Sequence, residues 1–324
     1  MKNFTKILLL CFIATAGVLI FQAQDYNGYN FSDDNNPLRD KPTRDAYLKY
    51  LQMPHDHSGT DAIVTDALGY DNSFIGVDFA EQMGSANPNN PLWMFFGVNG
   101  SPQNARNTTD GGLNWALVQP SYAGGTCCDP WSAYDNNGNL YYASGVNGQY
   151  VYKSTNNGNN WSAGVLSVSG NDRNTLTADQ TNGPYGGYLY AAETPGSFAR
   201  STNGNASWTT TFSSSNTVPG TMIAVGPNGT TNGGCVIYVT NTGSTVPCVY
   251  NFHRSLDGGA TFTANVSTLN VAGYVGTLNT AGRLVINNAR TRPYPMIAMD
   301  NSNGPFRGRL YLVYASNEPV GNGN

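Results

Sequence analysis

The sequence TTDGGLNW at residues 108–115 returns three more times along the chain in related form. The other copies are STNNGNNW at 154–161, STNGNASW at 201–208 and SLDGGATF at 255–262. These four segments, called octets below, share the pattern Ser/Thr-x-Asp/Asn-x-Gly-x-x-aromatic, except that the third has Asn205 in place of the glycine. Their third positions are residues 110, 156, 203 and 257, so the copies are spaced by 46, 47 and 54 residues. Regular spacing of this size predicts a fold built from repeated units.

The residue types in an octet predict a tight turn between two strands. An Asp or Asn side chain can accept hydrogen bonds from the backbone N–H groups that follow it. Glycine permits the positive φ that other residues resist, and the aromatic ring is placed to pack between neighbouring sheets. We therefore expect equivalent turns with largely buried rings, formed by Asp110, Gly112 and Trp115, by Asn156, Gly158 and Trp161, by Asn203 and Trp208, and by Asp257, Gly259 and Phe262.

Each octet belongs to a larger unit that begins with a short apolar strand and continues with an aromatic-rich strand. In the first unit these strands are Phe74–Asp78 and Leu92–Phe96. A third strand leads into the octet and a fourth leaves it. Four antiparallel strands in roughly 45–50 residues are the organisation of a β-propeller blade. The predicted fold class is therefore all-β, a β-propeller of four-stranded blades.

Four such units are complete, and a fifth begins near Tyr294 without reaching an octet. The complete units span 71–118, 129–168, 172–214 and 219–268. Residues 269–293 form either an oversized connection or an extra hairpin. Because an open propeller leaves sheet edges unpaired, we expect the chain to be the N-terminal part of a longer protein.

The octet pattern resembles the Asp-box of the sialidase-type, or BNR-repeat, β-propellers, and the resemblance covers residues 71–324. It implies a ligand face formed by the loops between blades, opposite the octets. Sialidase activity in this family also needs three arginines, the first in an Arg-Ile-Pro motif, with a Tyr/Glu nucleophile pair and an Asp acid/base. Arg-Ile-Pro is missing, Arg292-Pro293 is the nearest approach, and the glutamates after residue 24 are Glu81, Glu193 and Glu318. No catalytic residue can therefore be assigned, and we expect no hydrolysis of sialosides.

Charged residues near the starts of the innermost strands are the candidate ligand-binding set. They are Asp129, Asp172, Arg173, Arg290 and Arg292. Arginine pairs well with carboxylates, so the set could bind an acidic or hydroxylated ligand. The alternative is that these charges only neutralise one another and support the turns.

Three functions remain open for such a propeller. It could be a module that binds a glycan or another surface ligand without catalysis, an exo-sialidase-like hydrolase completed by further blades, or a structural module of a large surface protein. A net charge of −4 with only 11% charged residues leaves no basic surface for nucleic acid. No cofactor or metal site is expected, since His55-Asp56-His57 lacks a distant third ligand and is expected to be a solvated loop.

The N-terminus has the features of a secretory signal peptide. Lys2 and Lys6 precede an apolar run, Ile7–Ile20, that is too short for a comfortable membrane span. We expect a signal peptide over residues 1–23 and a secreted or cell-surface protein without a membrane span. Residues 24–70 are expected to be an extension with a short helix at Thr43–Gln52.

Four cysteines follow the predicted signal peptide. Cys235 and Cys248 flank a predicted hairpin turn at Asn241–Ser244 and could form a disulfide across two adjacent strands. For the neighbours Cys127 and Cys128, a strained bridge and two free thiols both stay open.

Overall fold

The computed structural model describes residues 63–65, 71–73, 75, 82–99, 104–123, 129–145, 147–170, 172–194, 196–214, 220–241, 248–264, 267–271, 277–278, 280, 284–286, 289–290 and 294–315. The predicted signal peptide, the helix at Thr43–Gln52, the segment His55–His57 and the pair Cys127–Cys128 lie outside them. The chain divides into two units, Met1–Gln52 with Gly276–Thr291, and Met53–Val275 with Arg292–Asn324. In the described part of the chain, no helix is long and apolar enough to cross a membrane.

Four antiparallel sheets of four strands each form the larger unit, after a short hairpin of β1 (Ile63–Thr65) and β2 (Asp71–Ser73). Blade one consists of β3 (Met83–Asn87), β4 (Asn90–Val98), β5 (Asn104–Thr108) and β6 (Ala116–Leu117). Blade two consists of β7 (Trp131–Tyr134), β8 (Leu140–Ser144), β9 (Gln149–Ser154) and β10 (Val165–Val168). Blade three consists of β11 (Asp172–Ala178), β12 (Leu189–Thr194), β13 (Ser197–Ser201) and β14 (Thr209–Ser213). Blade four consists of β15 (Met222–Asn228), β16 (Thr231–Asn241), β17 (Cys248–Ser255) and β18 (Ser267–Val271).

The strands of each blade pair in chain order, and the first strands of consecutive blades lie side by side. β3 neighbours β7, β7 neighbours β11, and β11 neighbours β15. Sheets of four meandering strands arranged through their first strands are the architecture of a β-propeller. The predicted fold class is confirmed.

Two more sheets follow blade four. In the smaller unit, β19 (Thr277–Leu278), β20 (Leu284–Ile286) and β21 (Ala289–Arg290) form a three-stranded antiparallel sheet. In the larger unit, β22 (Met296–Met299) and β23 (Leu310–Val313) pair with each other, and β22 lies beside β15. This pair holds the position of a fifth blade.

The hydrophobic core lies between the blades. Second strands are buried over their whole length in blades two and three because sheets cover both of their faces. One core cluster, for example, joins Phe95 and Ala105 of blade one to Tyr134, Leu140 and Tyr142 of blade two. Two further clusters join blade two to three and blade three to four.

The first strand of blade one is not the predicted Phe74–Asp78. It is β3, Met83–Asn87, which pairs with β4 so that Gly84 lies opposite Phe96. The apolar run at 74–78 predicted the wrong segment because β3 itself has the sequence MGSAN, which contains few large apolar residues. β3 packs beside β7, and this packing cannot be recognised from the sequence of β3 itself.

The predicted disulfide between Cys235 and Cys248 is also wrong. Strands β16 and β17 pair with Val236 opposite Ser255 and Asn241 opposite Tyr250, and residues 242–247 between them lie outside the described residues. Cys235 is therefore roughly 20 Å of strand, at about 3.3 Å per residue, from Asn241 at the end of β16 that is nearer to β17's first residue. Cys248 begins β17 and lies opposite Val271 of β18. The buried Cys235 thiol is free.

Candidate functional site

The octets occupy equivalent turns, each beginning at the last residue of a third strand. In the first, the Thr108 hydroxyl donates to Asp110 Oδ1 at 2.7 Å and accepts the Gly112 N–H at 3.0 Å. The Asn114 N–H then donates to Asp110 Oδ1 at 3.0 Å. The same three contacts recur in the other copies, centred on Ser154 and Asn156, Ser201 and Asn203, and Ser255 and Asp257.

These hydrogen bonds set the charge of the first octet. Donation from the Asn114 side chain, then from its backbone and from Thr108, lowers the pKa of Asp110 to about 2. The carboxylate is therefore ionised at any physiological pH.

The fourth and fifth residues of every octet have left-handed backbones. The φ angles are 78° and 97° at Gly111 and Gly112, and 66° and 77° at Gly204 and Asn205. Asparagine tolerates this conformation better than most residues. Asn205 is also held by its side chain, which donates to the Val151 carbonyl at 2.8 Å and accepts the Trp208 indole N–H at 2.7 Å. The sequence departure at Asn205 therefore leaves the turn intact.

The aromatic residue that ends each octet is partly, rather than largely, buried. In octets two to four it packs on the preceding blade. The Trp161 ring lies 5.6 Å from that of Phe95 and its indole N–H donates to the Val118 carbonyl at 2.6 Å. The Phe262 ring lies 4.9 Å from that of Phe198. These turns therefore connect blades.

The charged residues at the starts of the first strands form a separate site at the opposite ends of those strands. The loop residue Asp129 is 8% exposed, and its Oδ2 accepts the backbone N–H of Arg173 at 3.1 Å. Arg173 Nη1 lies 3.5 Å from Asp129 Oδ1, with the arginine side chain 28% exposed. Both residues have left-handed backbones, with φ of 47° and 61°. Asn174 adds a bond from its side-chain amide to the Asp129 carbonyl at 3.1 Å.

An aromatic ring completes the accessible part of this site. The Arg173 guanidinium lies 4.5 Å from the centre of the Tyr294 ring. Gly220 lies directly beside that ring, because a Cβ at Gly220 would come within 2.1 Å of it. Glycine at this position therefore makes room for Tyr294. The set Asp129, Asp172, Arg173 and Tyr294 is called the loop-face site below.

Glu193 lies beneath this site at the end of β12, with 1% of its surface exposed. Burial, and then the negative charges of Asp172 and Asp129, raise the pKa of its carboxyl to about 8, against the lowering effect of a hydrogen bond from the Gln149 backbone. Its Oε2 atom has no hydrogen-bond partner among the described residues, and the same holds for Gln149 Oε1, Thr194 Oγ1 and Thr221 Oγ1. The interior below the loop-face site is therefore rich in unused polar atoms.

The structure brings together three of the five candidate residues, Asp129, Asp172 and Arg173. Arg290 belongs to the smaller unit, with no described side chain, and Arg292 lies outside the described residues. Sequence reasoning missed Tyr294 and Glu193. Tyr294 is two residues after the candidate Arg292, and Glu193 is one of three glutamates after residue 24. Within the described ranges, no group of three His, Cys, Asp or Glu residues is arranged to hold a metal ion.

No protein-family model matches the chain, and a search of the curated proteins finds no relative. Among solved structures, the major Malassezia sympodialis allergen Mala s 1 is 14% identical, over 77% of this chain and 78% of the allergen, with a TM-score of 0.48. A Penicillium chrysogenum alpha-L-arabinanase complexed with arabinobiose is 13% identical, over 72% of this chain and 74% of its own, with a TM-score of 0.43. The GH93 alpha-L-arabinofuranosidase of Fusarium graminearum, also with arabinobiose, is 14% identical over 72% and 74%, with a TM-score of 0.40. These values are too low to support an inference about activity.

Proposed function

We propose that the loop-face site binds a hydroxyl-rich saccharide. The observation that carries the proposal is the Asp129–Arg173 pair beside the Tyr294 ring. The Arg173 guanidinium is 28% exposed and offers a donor fork to the neighbouring hydroxyls of a sugar ring, while the buried Asp129 carboxylate holds it in place. Tyr294 adds a flat apolar surface with a polar tip.

A neutral saccharide fits this site better than an acidic one. The Arg173 charge is already opposed by Asp129, and Asp172 places a further acidic residue beside it. An incoming carboxylate would therefore gain little from Arg173 and would be repelled by the acidic neighbours. The proposal has two further parts. One is that the chain is a sialidase-like propeller, which the shared turn geometry of the octets supports. The other is that the protein is secreted or exported to the cell surface.

Hydrolysis is not included in the proposed function. Glu193 is the described carboxyl group whose raised pKa would let it donate a proton at neutral pH, but it is 1% exposed and so closed to a substrate. We accordingly expect that no fluorogenic sialoside is turned over by the purified protein.

The test is a titration of the purified chain with neutral and acidic oligosaccharides, selected on a glycan array and measured by calorimetry. Replacing Arg173 by Ala should weaken a bound neutral saccharide about 10- to 100-fold, the loss of a hydrogen bond to a charged group. Tyr294→Phe should retain most of the affinity and Tyr294→Ala should lose it, because the ring face makes the contact.

The matched control is Arg309→Ala. Arg309 is an exposed arginine whose guanidinium lies 4.2 Å from the Phe306 ring, in the turn between β22 and β23 at the other end of the blades. Its removal should leave saccharide affinity unchanged. Exclusive binding of acidic saccharides, or binding indifferent to both Arg173→Ala and Tyr294→Ala, would refute the proposal.

A further inference from the structure

The residue immediately before each of the first three octets lies against the octet of the next blade. The Asn107 side-chain amide donates to the carbonyl of Asn157, the fourth residue of octet two. Lys153 Nζ lies beside Gly204, the fourth residue of octet three, where a Cβ would be 3.3 Å away. Arg200 Nη1 donates to the carbonyls of Asp257 and Gly258 in octet four at 3.3 and 2.9 Å. The residue before the octet therefore lies against the octet of the next blade in three successive interfaces, and it donates a hydrogen bond to that octet in two of them.

Two apolar residues accompany this residue in every blade. One lies opposite it on the second strand, and the other lies two residues before it on the third strand. The resulting sets are Phe95, Ala105 and Asn107, then Tyr141, Val151 and Lys153, then Tyr190, Phe198 and Arg200, and finally Ile237, Phe252 and Arg254. We call each set a receptor triplet. The aromatic residue of the next octet packs on it, as Trp161 does on Phe95 and Phe262 on Phe198.

The fourth receptor triplet faces a groove. Ile237, Phe252 and Arg254 line a depression of about 480 Å³ together with Thr263, Ser267 and Leu310. Arg254 is exposed, whereas its counterparts Asn107, Lys153 and Arg200 are buried or partly buried. Within the described residues, no octet lies against this triplet. The sheet at the position of a fifth blade there consists of β22 and β23 alone. Leu312 lies on the same face of β23 as Leu310, so the apolar surface of the groove continues along that strand.

We propose that this groove is the docking site for a β-hairpin whose turn carries an octet. The hairpin adds its first strand to the edge of β23, in the manner of strand addition to a sheet edge. Its octet aromatic fills the groove over Ile237 and Phe252. The backbone carbonyls at positions three and four of the octet accept hydrogen bonds from Arg254, as those of Asp257 and Gly258 do from Arg200.

A second copy of the chain does not fit as the occupant. Its octets belong to complete blades, whose first strands pack beside those of the preceding blade, as β7 packs beside β3. At blade four that place is taken by β22, which lies beside β15. A complete blade would displace β22 and β23, whereas a hairpin leaves them in place.

The probe is a fluorescein-labelled peptide with the sequence of residues 149–168, which contains a third strand, an octet and a fourth strand. Cyclisation through its ends holds the two strands together, since an isolated hairpin is marginally stable. Anisotropy titrations with the purified chain should show saturable binding. Arg254→Ala should weaken binding about tenfold, and Arg254→Lys should bind with an intermediate affinity, because lysine keeps the charge but lacks the planar fork of arginine.

A second peptide, in which the tryptophan of the octet is replaced by alanine, changes nothing in the protein and stays informative if Arg254→Ala fails to fold. It should bind at least about tenfold more weakly, since a large buried aromatic is lost. Equal binding of the two peptides, or no saturation up to about 1 mM, would overturn the proposal. Self-association of the chain that Arg254→Ala abolishes would overturn it too, because a second copy would then be the occupant.

Discussion

The Glu193 carboxyl group is buried, and burial disfavours its ionised form. Its pKa of about 8 reflects burial first and the charges of Asp172 and Asp129 second. An unfolded chain loses this proton near the ordinary pKa of 4.5, so between about pH 4.5 and 8 the folded state binds the proton that the unfolded state has released. The free energy of unfolding therefore falls across this window as the pH rises.

We expect Glu193→Gln to remove this pH dependence. Glutamine keeps the shape of the side chain and is neutral at every pH. The free energy of unfolding of the variant should therefore increase relative to that of the native protein as the pH rises from 5 to 8. The difference should reach a few kcal/mol, because each pKa unit corresponds to about 1.4 kcal/mol. Urea denaturation at several pH values measures it. A constant difference between the two proteins at all pH values would contradict the assignment.

The octet is the element whose structure the sequence predicts best. Its turn depends on contacts among eight consecutive residues, such as Ser154 with Asn156 and Gly158, so composition and spacing suffice to locate it. The strand β3 and the state of Cys235 could not be predicted in this way. Both depend on partners distant in sequence, β3 on its neighbour β7 and Cys235 on the length and register of β16.

The loop-face site shows the same limit. Asp129 and Arg173 could be selected as charged residues before first strands, but 44 residues separate them and their bond depends on the packing of two blades. Nothing near Glu193 in the sequence signals that it lies under them. Its role follows only from burial, which the local sequence AAETPG does not reveal.

A pair of substitutions at Trp161 separates the two contributions of an octet aromatic. Trp161→Ala should lower the free energy of unfolding by about 3 kcal/mol, the lower end for a large aromatic because the ring is only partly buried. Trp161→Phe keeps a ring against Phe95 and loses the hydrogen bond to the Val118 carbonyl, so it should cost about 1 kcal/mol. Equal losses for the two variants in chemical denaturation would show that ring packing contributes nothing.

Across the whole molecule, blades are joined on three levels. At the first level, the first strands of neighbouring blades pack beside one another. At the second, side chains in the turns between first and second strands form hydrogen bonds across blades, as Gln180 does with the Tyr134 carbonyl at 2.8 Å. At the third, octets pack on receptor triplets. In such an arrangement each blade contacts only its neighbours, so stability is approximately a sum over blades and interfaces.

Arg200→Ala tests the third level at one interface. Loss of its hydrogen bonds to Asp257 and Gly258 should cost about 1.5–3 kcal/mol and speed hydrogen exchange in octet four. Octet two, which docks through Asn107, should exchange at the native rate. Lys153→Ala is the milder comparison, since the lysine lies 5.7 Å from the centre of the Tyr141 ring and should contribute about 0.5–1 kcal/mol. Faster exchange in all octets alike would mean that the interfaces are not independent.

The equivalence of the receptor triplets has a consequence for how such a chain can change over generations. Duplication or loss of a DNA segment encoding one whole blade brings together a triplet and an octet that have not met before. Because Asn107 and Arg200 donate from the same position to the carbonyl of the fourth octet residue, new neighbours of these two kinds still match. Copy number can therefore vary by whole blades without a compensating mutation, while a deletion of any other length destroys the match.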